Sequence, residues 1–148
     1  MVVVIDASVA VKWYVAEAWR NEARNVLATA AELIALDFIL TEVANALRRK
    51  VTEGTVTKEQ ALNALDDLPA SFSRLIHAEQ TLRAAFDLAL RLSHPLPDCV
   101  YLACAVLNGA SLVTDDRKFL EKVVANGHRN RIVLLADWPM GETGKQGA

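Results

Sequence analysis

The chain opens on Val2-Val3-Val4-Ile5, a β-branched run that is apolar at every position and ends at Asp6. Such a run fits a strand covered on both faces inside a parallel sheet, and a helix is expected directly after it. Apolar residues at Ala16, Trp19, Ala23, Val26, Leu27 and Ala30 then recur in three- and four-residue steps, which predicts an amphipathic helix before a second strand at Glu32–Leu36. From Phe38 the stripe Ile39, Val43, Ala46 and Leu47 predicts a helix stopped near Gly54. Thr57-Lys58-Glu59-Gln60 reads as a capping box opening a helix through Ala61, Leu65 and Leu68, so these two should form a hairpin. A weak alternation at Phe72, Arg74 and Ile76 suggests a third strand. Leu82, Phe86, Ala89 and Leu90 give the apolar stripe of the next helix, which ends before His94-Pro95-Leu96-Pro97.

Residues 98–108 are apolar almost all round, so that helix should be buried on more than one side. Gly109 ends it, Ser111–Thr114 is a fourth strand, Phe119, Leu120, Val123 and Val124 mark a last helix, and residues 132–135 a last strand. Strand and helix alternate with short connections. That pattern predicts an α/β fold: one domain over residues 1–140, with a short central parallel sheet flanked on both faces by helices. From Gly141 the sequence is a polar tail, expected to fray.

At 148 residues and 53% hydrophobic, the chain can bury a sizeable core without disulfides or a structural metal. Cys99 and Cys104 lie inside the apolar run, match neither a redox pair nor a zinc knuckle, and read as buried free thiols. With no export signal after Met1, they point to the reducing cytoplasm. The longest apolar stretch, residues 99–107, falls far short of the roughly 20 residues a bilayer core requires. The balance of 16 Lys+Arg against 18 Asp+Glu gives a formal charge of -2, less basic than the usual nucleic-acid binder.

In an open α/β sheet, ligands sit outside the carboxyl ends of the strands. Here the residues at those ends are acidic: Asp6 after the first strand, and Asp115-Asp116 after the fourth. Taken singly, each is also explained as a helix N-cap. Taken together, and with strands 1 and 4 as neighbours across a topological switch, they share one rim. Asp98 opens the buried helix, and Glu42 borders the apolar stripe of its own helix in line with Asn45 and Arg49. Clustered carboxylates either trap protons or bind a compensating cation, and Mg²⁺ or Mn²⁺ suits carboxylate oxygens. His77, His94 and His128 lack zinc-like spacing and read as surface or loop residues. Ser8 and Thr114 serve either the carboxylates, a phosphate or the local backbone. An aspartyl-phosphate phosphatase would carry a second Asp where Ser8 stands, a phosphorelay receiver would carry its acidic pair after the first strand, and no Gly-rich loop supports an NTPase or dehydrogenase.

Four segments in order resemble a PIN domain of the VapC toxin type: Ile5-Asp6-Ala7-Ser8-Val9-Ala10-Val11-Lys12-Trp13, Thr41-Glu42-Val43-Ala44-Asn45-Ala46-Leu47, Pro97-Asp98-Cys99-Val100-Tyr101-Leu102-Ala103 and Leu112-Val113-Thr114-Asp115-Asp116-Arg117-Lys118-Phe119. The resemblance spans Val2 to about Trp138. It implies that Asp6, Glu42, Asp98 and Asp116 are the catalytic, metal-binding acids of a Mg²⁺- or Mn²⁺-dependent endoribonuclease. Asp115 falls where such proteins vary and, with Ser8, Thr114 and Asn45, is a supporting residue. Pro97 stands where many relatives carry an aromatic residue. The family further implies cleavage of tRNA or ribosomal RNA to 5′-phosphate and 3′-hydroxyl ends, a homodimer, and a VapB-like antitoxin whose C-terminal segment crosses the site.

Lys12, Arg48, Arg49, Lys50, Arg117 and Lys118 lie near the acids in sequence and are candidate contacts to the RNA backbone, or else ordinary solvated cations. Trp13 and Tyr14 either stack on bases or pack the core. Two alternatives stay open on sequence: a catalytically silent PIN-like module that binds RNA or protein, and a nuclease acting on DNA. Setting the four site acids aside leaves 14 acids against 16 bases, a formal +2, so the net charge is compatible with an RNA partner.

Overall fold

A computed structural model describes residues 1–139; the tail expected from Gly141 lies outside the described residues. Strands β1 (Val2–Ile5), β2 (Glu32–Leu36), β3 (Arg74–Ile76), β4 (Ser111–Thr114) and β5 (Ile132–Leu134) form one parallel sheet in the order β3-β2-β1-β4-β5. The all-apolar β1 takes the centre, where both faces are covered, and Val3, Val4 and Ile5 are fully buried. The register Val4↔Leu112 and Ile5↔Val113 sets the carboxyl ends of β1 and β4 side by side. Strand order reverses there, so the chain leaves two adjacent strand ends in opposite directions and opens a crevice.

Successive strand residues point to opposite faces. Val3, Ile5, Leu33, Ala35 and Val113 pack against α1 (Ala7–Ala10), α2 (Arg20–Thr29), α3 (Ile39–Thr52) and α4 (Lys58–Asp67). Val4, Ile34, Leu36 and Leu112 pack against α5 (Leu82–Leu92), α6 (Leu96–Leu107) and α7 (Arg117–Ala125). The sheet is therefore covered on both faces, as the alternation of elements predicts. The Thr57–Gln60 capping box forms in both directions, at 2.8 and 3.1 Å. Helix α6 is buried at every position from 99 to 105 and stops where Gly109 adopts a left-handed φ of 61°.

The departures are local. The segment after Asp6 makes one α-turn and a 3-10 turn (Val11–Trp13), and α2 begins only at Arg20, leaving Ala16 and Trp19 outside it. Trp13 packs inward where Trp19 does not: it is 5% exposed, donates to the Ala23 carbonyl at 2.8 Å and lies 5.9 Å from the Phe72 ring. Base stacking is thereby closed to Trp13. Helix α4 ends before Leu68, which starts a 3-10 turn with Pro69, and Phe72 precedes β3 instead of belonging to it. Helix α6 starts two residues earlier than expected, with Pro97 in its first turn, where a missing N–H costs nothing. Strand β5 ends at Leu134.

The largest departure is the face that α5 buries. Ala85, Leu88 and Leu92 turn inward against α6, while Leu82, Phe86 and Leu90 are 44%, 62% and 67% exposed. This helix is apolar on two sides, and the all-apolar α6 takes the side with the smaller Ala85. No helix among the described residues is long and apolar enough to cross a membrane.

Candidate active site

Asp6 ends β1 and caps α1. Its Oδ1 accepts the Val9 amide at 3.1 Å and the Ser8 hydroxyl at 2.7 Å, and Oδ2 takes no hydrogen bond from the described residues. Asp116 repeats this arrangement after β4: it caps α7, with Oδ1 accepting the Phe119 amide at 3.1 Å. The buried Thr114 hydroxyl accepts the Asp116 amide at 3.2 Å, so Thr114 shapes the turn and touches neither carboxylate. Capping and a place at the rim are thus compatible, because a cap uses one carboxylate oxygen and leaves the other.

Two further carboxylates come from the helices. Glu42, in the first turn of α3, accepts the Tyr101 hydroxyl of α6 through Oε1. Asp98, in the first turn of α6, has Oδ2 2.6 Å from His94 Nε2. Lys122 Nζ lies 3.2 Å from His94 Nδ1 and 3.2 Å from the Ser93 carbonyl. An ammonium only donates, so Nδ1 accepts and the proton sits on Nε2, where it donates to Asp98. The ring is wedged against Phe119, with centroids 4.5 Å apart. Every one of the four acids therefore spends one oxygen on the protein and keeps the other free among the described residues.

Burial pushes the Asp6 carboxyl up to about 6; the Ser8 and Val9 hydrogen bonds pull against this, and the negative charges of Asp98 and Glu42 add to it. Glu42 is raised for the same reason, burial first, with the Tyr101 hydrogen bond opposing and Asp98 reinforcing. Tyr101 is pushed far up by burial and by its carboxylate neighbours, so it remains a donor. The structure thus brings Asp6, Glu42 and Asp98 within electrostatic reach of one another. Asp116 stands more exposed on the rim and is not among the charges that raise Asp6. Asp115 instead meets Lys12 at 3.3 Å.

Beside the acids lies a cavity of about 520 Å³. Glu42, Asn45, Ala46, Arg49, Lys50 and Glu53 line one wall, the helix-face spacing expected of α3, and Ala7, Ser8, Val11, Lys12, Glu17 and Asp115 line the other. Arg48 leans the other way, into the groove between α3 and α4, and donates to Asn45 Oδ1 at 3.1 Å. Arg117 and Lys118 are exposed at the start of α7. Lys12 is 6% exposed and Tyr14 half-buried.

Sequence reasoning missed His94, Tyr101 and Glu17. His94 precedes Asp98 by four residues, a spacing that brings two side chains together once a helix begins. Tyr101 follows Asp98 by three residues, on the same face of α6.

No three His, Cys, Asp or Glu side chains among the described residues form a ready-made cation cage, as expected of anions that repel until a cation draws them in. The donor chemistry nonetheless fits a hard divalent ion: Asp6, Glu42 and Asp98 with a free oxygen each, Asp116 further out on the rim, and His94 already committed to Asp98. Cys99 and Cys104 are buried, and burial pushes both thiols to about 11, so neither offers a thiolate.

The family model "PIN domain" matches residues 3–124, a span that contains all four acids. The chain belongs to the PIN domain family. This PIN domain is 35% identical over 127 residues to Ribonuclease VapC3 of Pyrobaculum aerophilum, covering 84% of this chain and 97% of that protein. Its fold matches the crystal structure of PAE2754 from Pyrobaculum aerophilum with a TM-score of 0.68 and 22% identity, over 90% of this chain and 83% of the other. It also matches a toxin-antitoxin complex from Klebsiella pneumoniae with a TM-score of 0.67 and 17% identity, over 90% and 97% of the two chains.

Proposed function

We propose that this PIN domain is a divalent-metal-dependent endoribonuclease, the toxin of a toxin-antitoxin pair, acting on structured RNA such as tRNA or ribosomal RNA. The observation that carries this reading is the carboxylate set itself. Asp6, Glu42 and Asp98 come from three elements, the charges of Glu42 and Asp98 raise the proton affinity of Asp6, and each acid keeps one free oxygen, beside a cavity lined by Lys12, Arg49 and Lys50.

Asp6, Glu42, Asp98 and Asp116 would hold Mg²⁺ or Mn²⁺. Such an ion supplies positive charge against the reacting phosphate and lowers the pKa of a bound water. The chain's own contribution is preorganisation. Asp6, with its carboxyl near 6, is mostly ionised at neutral pH and is held at the strand end by Ser8 and Val9. Tyr101 anchors one oxygen of Glu42, and His94, braced by Lys122, anchors one oxygen of Asp98, which limits how far either carboxylate must turn when a cation arrives. Lys12, Arg49 and Lys50 draw the RNA backbone to the cavity, with Arg117 and Lys118 at the rim beside Asp116, whereas Arg48 faces the α3–α4 groove and takes no part.

The relation to Ribonuclease VapC3 supports a VapB-like antitoxin as the protein partner. A homodimer is supported by the exposed row Leu82, Phe86 and Leu90 on α5, an apolar surface that a second copy of the chain would cover. The free, buried Cys99 and Cys104 suit a reducing cytoplasm. Stem-loops of one sequence, made as RNA and as DNA and incubated with Mn²⁺, test the reading. The RNA should be cut to 5′-phosphate ends and the DNA left whole. Equal cutting of DNA, or RNA products ending in cyclic phosphate, contradicts it.

A further inference from the structure

Lys12 is a cation in an unusual position, 6% exposed at the end of the turn after Asp6. A buried ammonium is costly unless paired, and its Nζ is paired twice: 3.2 Å from Glu17 Oε1 and 3.3 Å from Asp115 Oδ2. The second oxygen of Glu17, Oε2, lies 3.6 Å from Lys50 Nζ, which comes from α3. One carboxylate therefore bridges two ammonium groups from separate elements, each of its oxygens facing one lysine. All three groups line the cavity that also contains Glu42.

A phosphodiester presents the same pattern: one negative charge shared by two non-bridging oxygens. We propose that Lys12 and Lys50 form a phosphate subsite for the RNA backbone next to the acid cluster, and that Glu17 occupies it in the free protein and is displaced by the RNA phosphate. The inference rests on the ribonuclease reading of the site and adds to it an internal competitor for substrate. Displacement is easy on three grounds. Glu17 belongs to the irregular stretch between the 3-10 turn and α2, so its side chain can swing out without unwinding a helix. Its pair with Lys50 is long, at 3.6 Å, and both side chains reach water, being 29% and 27% exposed, so solvent can receive the carboxylate as it leaves. Asp115 keeps Lys12 paired and in place after Glu17 leaves. Glu17 thus holds the two ammonium groups together without RNA, with Glu53 as a longer second partner of Lys50 at 3.8 Å, and discriminates against anions too weakly charged, or too poorly shaped, to replace it.

Binding of a short fluorescein-labelled RNA hairpin, measured by anisotropy across a KCl series, tests this. All chains carry Asp6→Asn and the buffer contains EDTA, so no cleavage intervenes. Glu17→Gln should tighten binding by about 3- to 10-fold at low salt and steepen the salt dependence, because no displaced carboxylate recaptures a cation. Lys50→Met should weaken binding and lower the slope of log K against log[KCl] by roughly 0.7–0.9, one phosphate contact. In the Glu17→Gln/Lys50→Met chain the gain from Glu17→Gln should shrink to less than half, the non-additivity of groups sharing one site. Lys50 is at a partly exposed helix position, so this arm does not depend on replacing buried Lys12. Thermal melting checks that each chain is folded.

A folded Glu17→Gln chain with unchanged or weaker RNA binding overturns the proposal, as does a Lys50→Met chain with unchanged slope, or a parent chain that binds no RNA. Cleavage by the unsubstituted protein with Mn²⁺ separates the two readings. If that protein cuts RNA while Glu17→Gln changes nothing, the subsite falls and the ribonuclease stands. If it binds RNA through the lysines but never cuts, the ribonuclease falls and the subsite stands.

Discussion

With its carboxyl pushed up to about 6 by burial and by the charges of Asp98 and Glu42, Asp6 destabilises the metal-free fold as it ionises. Its folded value lies above the ordinary 3.8, so the folded state holds the proton longer than the unfolded chain does. Stability therefore falls as pH rises from about 4 to about 6, by about 2 kcal/mol, and stays lower above that range. Glu42 adds to the loss in the same direction. Asp6→Asn keeps the helix cap, since Asn caps as well as Asp. In EDTA at pH 7.5 it should melt several degrees above the parent, with the difference vanishing near pH 4, while Mn²⁺ should raise the melting temperature of the parent far more than that of the variant. A variant less stable than the parent in EDTA at pH 7.5 would contradict this electrostatic account. His94 carries a separate prediction. Removing its hydrogen bond to Asp98 Oδ2 in His94→Ala should weaken Mn²⁺ binding, measured calorimetrically, by about 10- to 100-fold. Unchanged Mn²⁺ affinity would reduce His94 to a packing residue against Phe119.

Helix α5 shows how far periodicity reaches. The pattern Leu82, Phe86, Ala89, Leu90 places a helix correctly but assigns its buried face wrongly, because Ala85, Leu88 and Leu92 form a second apolar row and only the neighbouring α6 decides between the two. Helix α2 is misread at its start for a related reason: Ala16 and Trp19 continue the stripe on paper, while Trp13 occupies the inward place through its bond to Ala23. Elements with an unambiguous apolar pattern or a local capping signal were legible, such as the all-apolar β1, the single stripe of α3 and the Thr57–Gln60 box; those whose orientation is set by a distant partner were not. The exposed α5 row has its own test. If the proposed homodimer forms through this row, the parent should scatter as a dimer and Phe86→Glu as a folded monomer; a parent already monomeric, or a dimer that persists in the variant, would contradict that interface.

At the scale of the molecule, the site was legible where the parallel sheet dictates it. Asp6 and the Asp115-Asp116 pair had to share a rim once β1 and β4 were neighbours, and the register Ile5↔Val113 puts them there. Glu42 was readable because its helix face leads to Asn45 and Arg49, which line the same cavity. The bond from Tyr101 to Glu42 joins residues 59 apart, and the Glu17 bridge needs Lys50 from another element, so neither shows in local spacing. The net charge of -2 likewise hides its own distribution: acids meet at the strand ends, and Lys12, Arg49 and Lys50 stand among further carboxylates around the adjoining cavity. The central claim is that these acids make the PIN domain an RNA-cutting enzyme. Incubating antitoxin-free protein with total tRNA and Mn²⁺, beside its Asp6→Asn variant, tests it most directly. Discrete tRNA fragments from the parent, and cleavage reduced at least 100-fold in the variant, are the expected result; equal cleavage by both chains, or none by either, would contradict it.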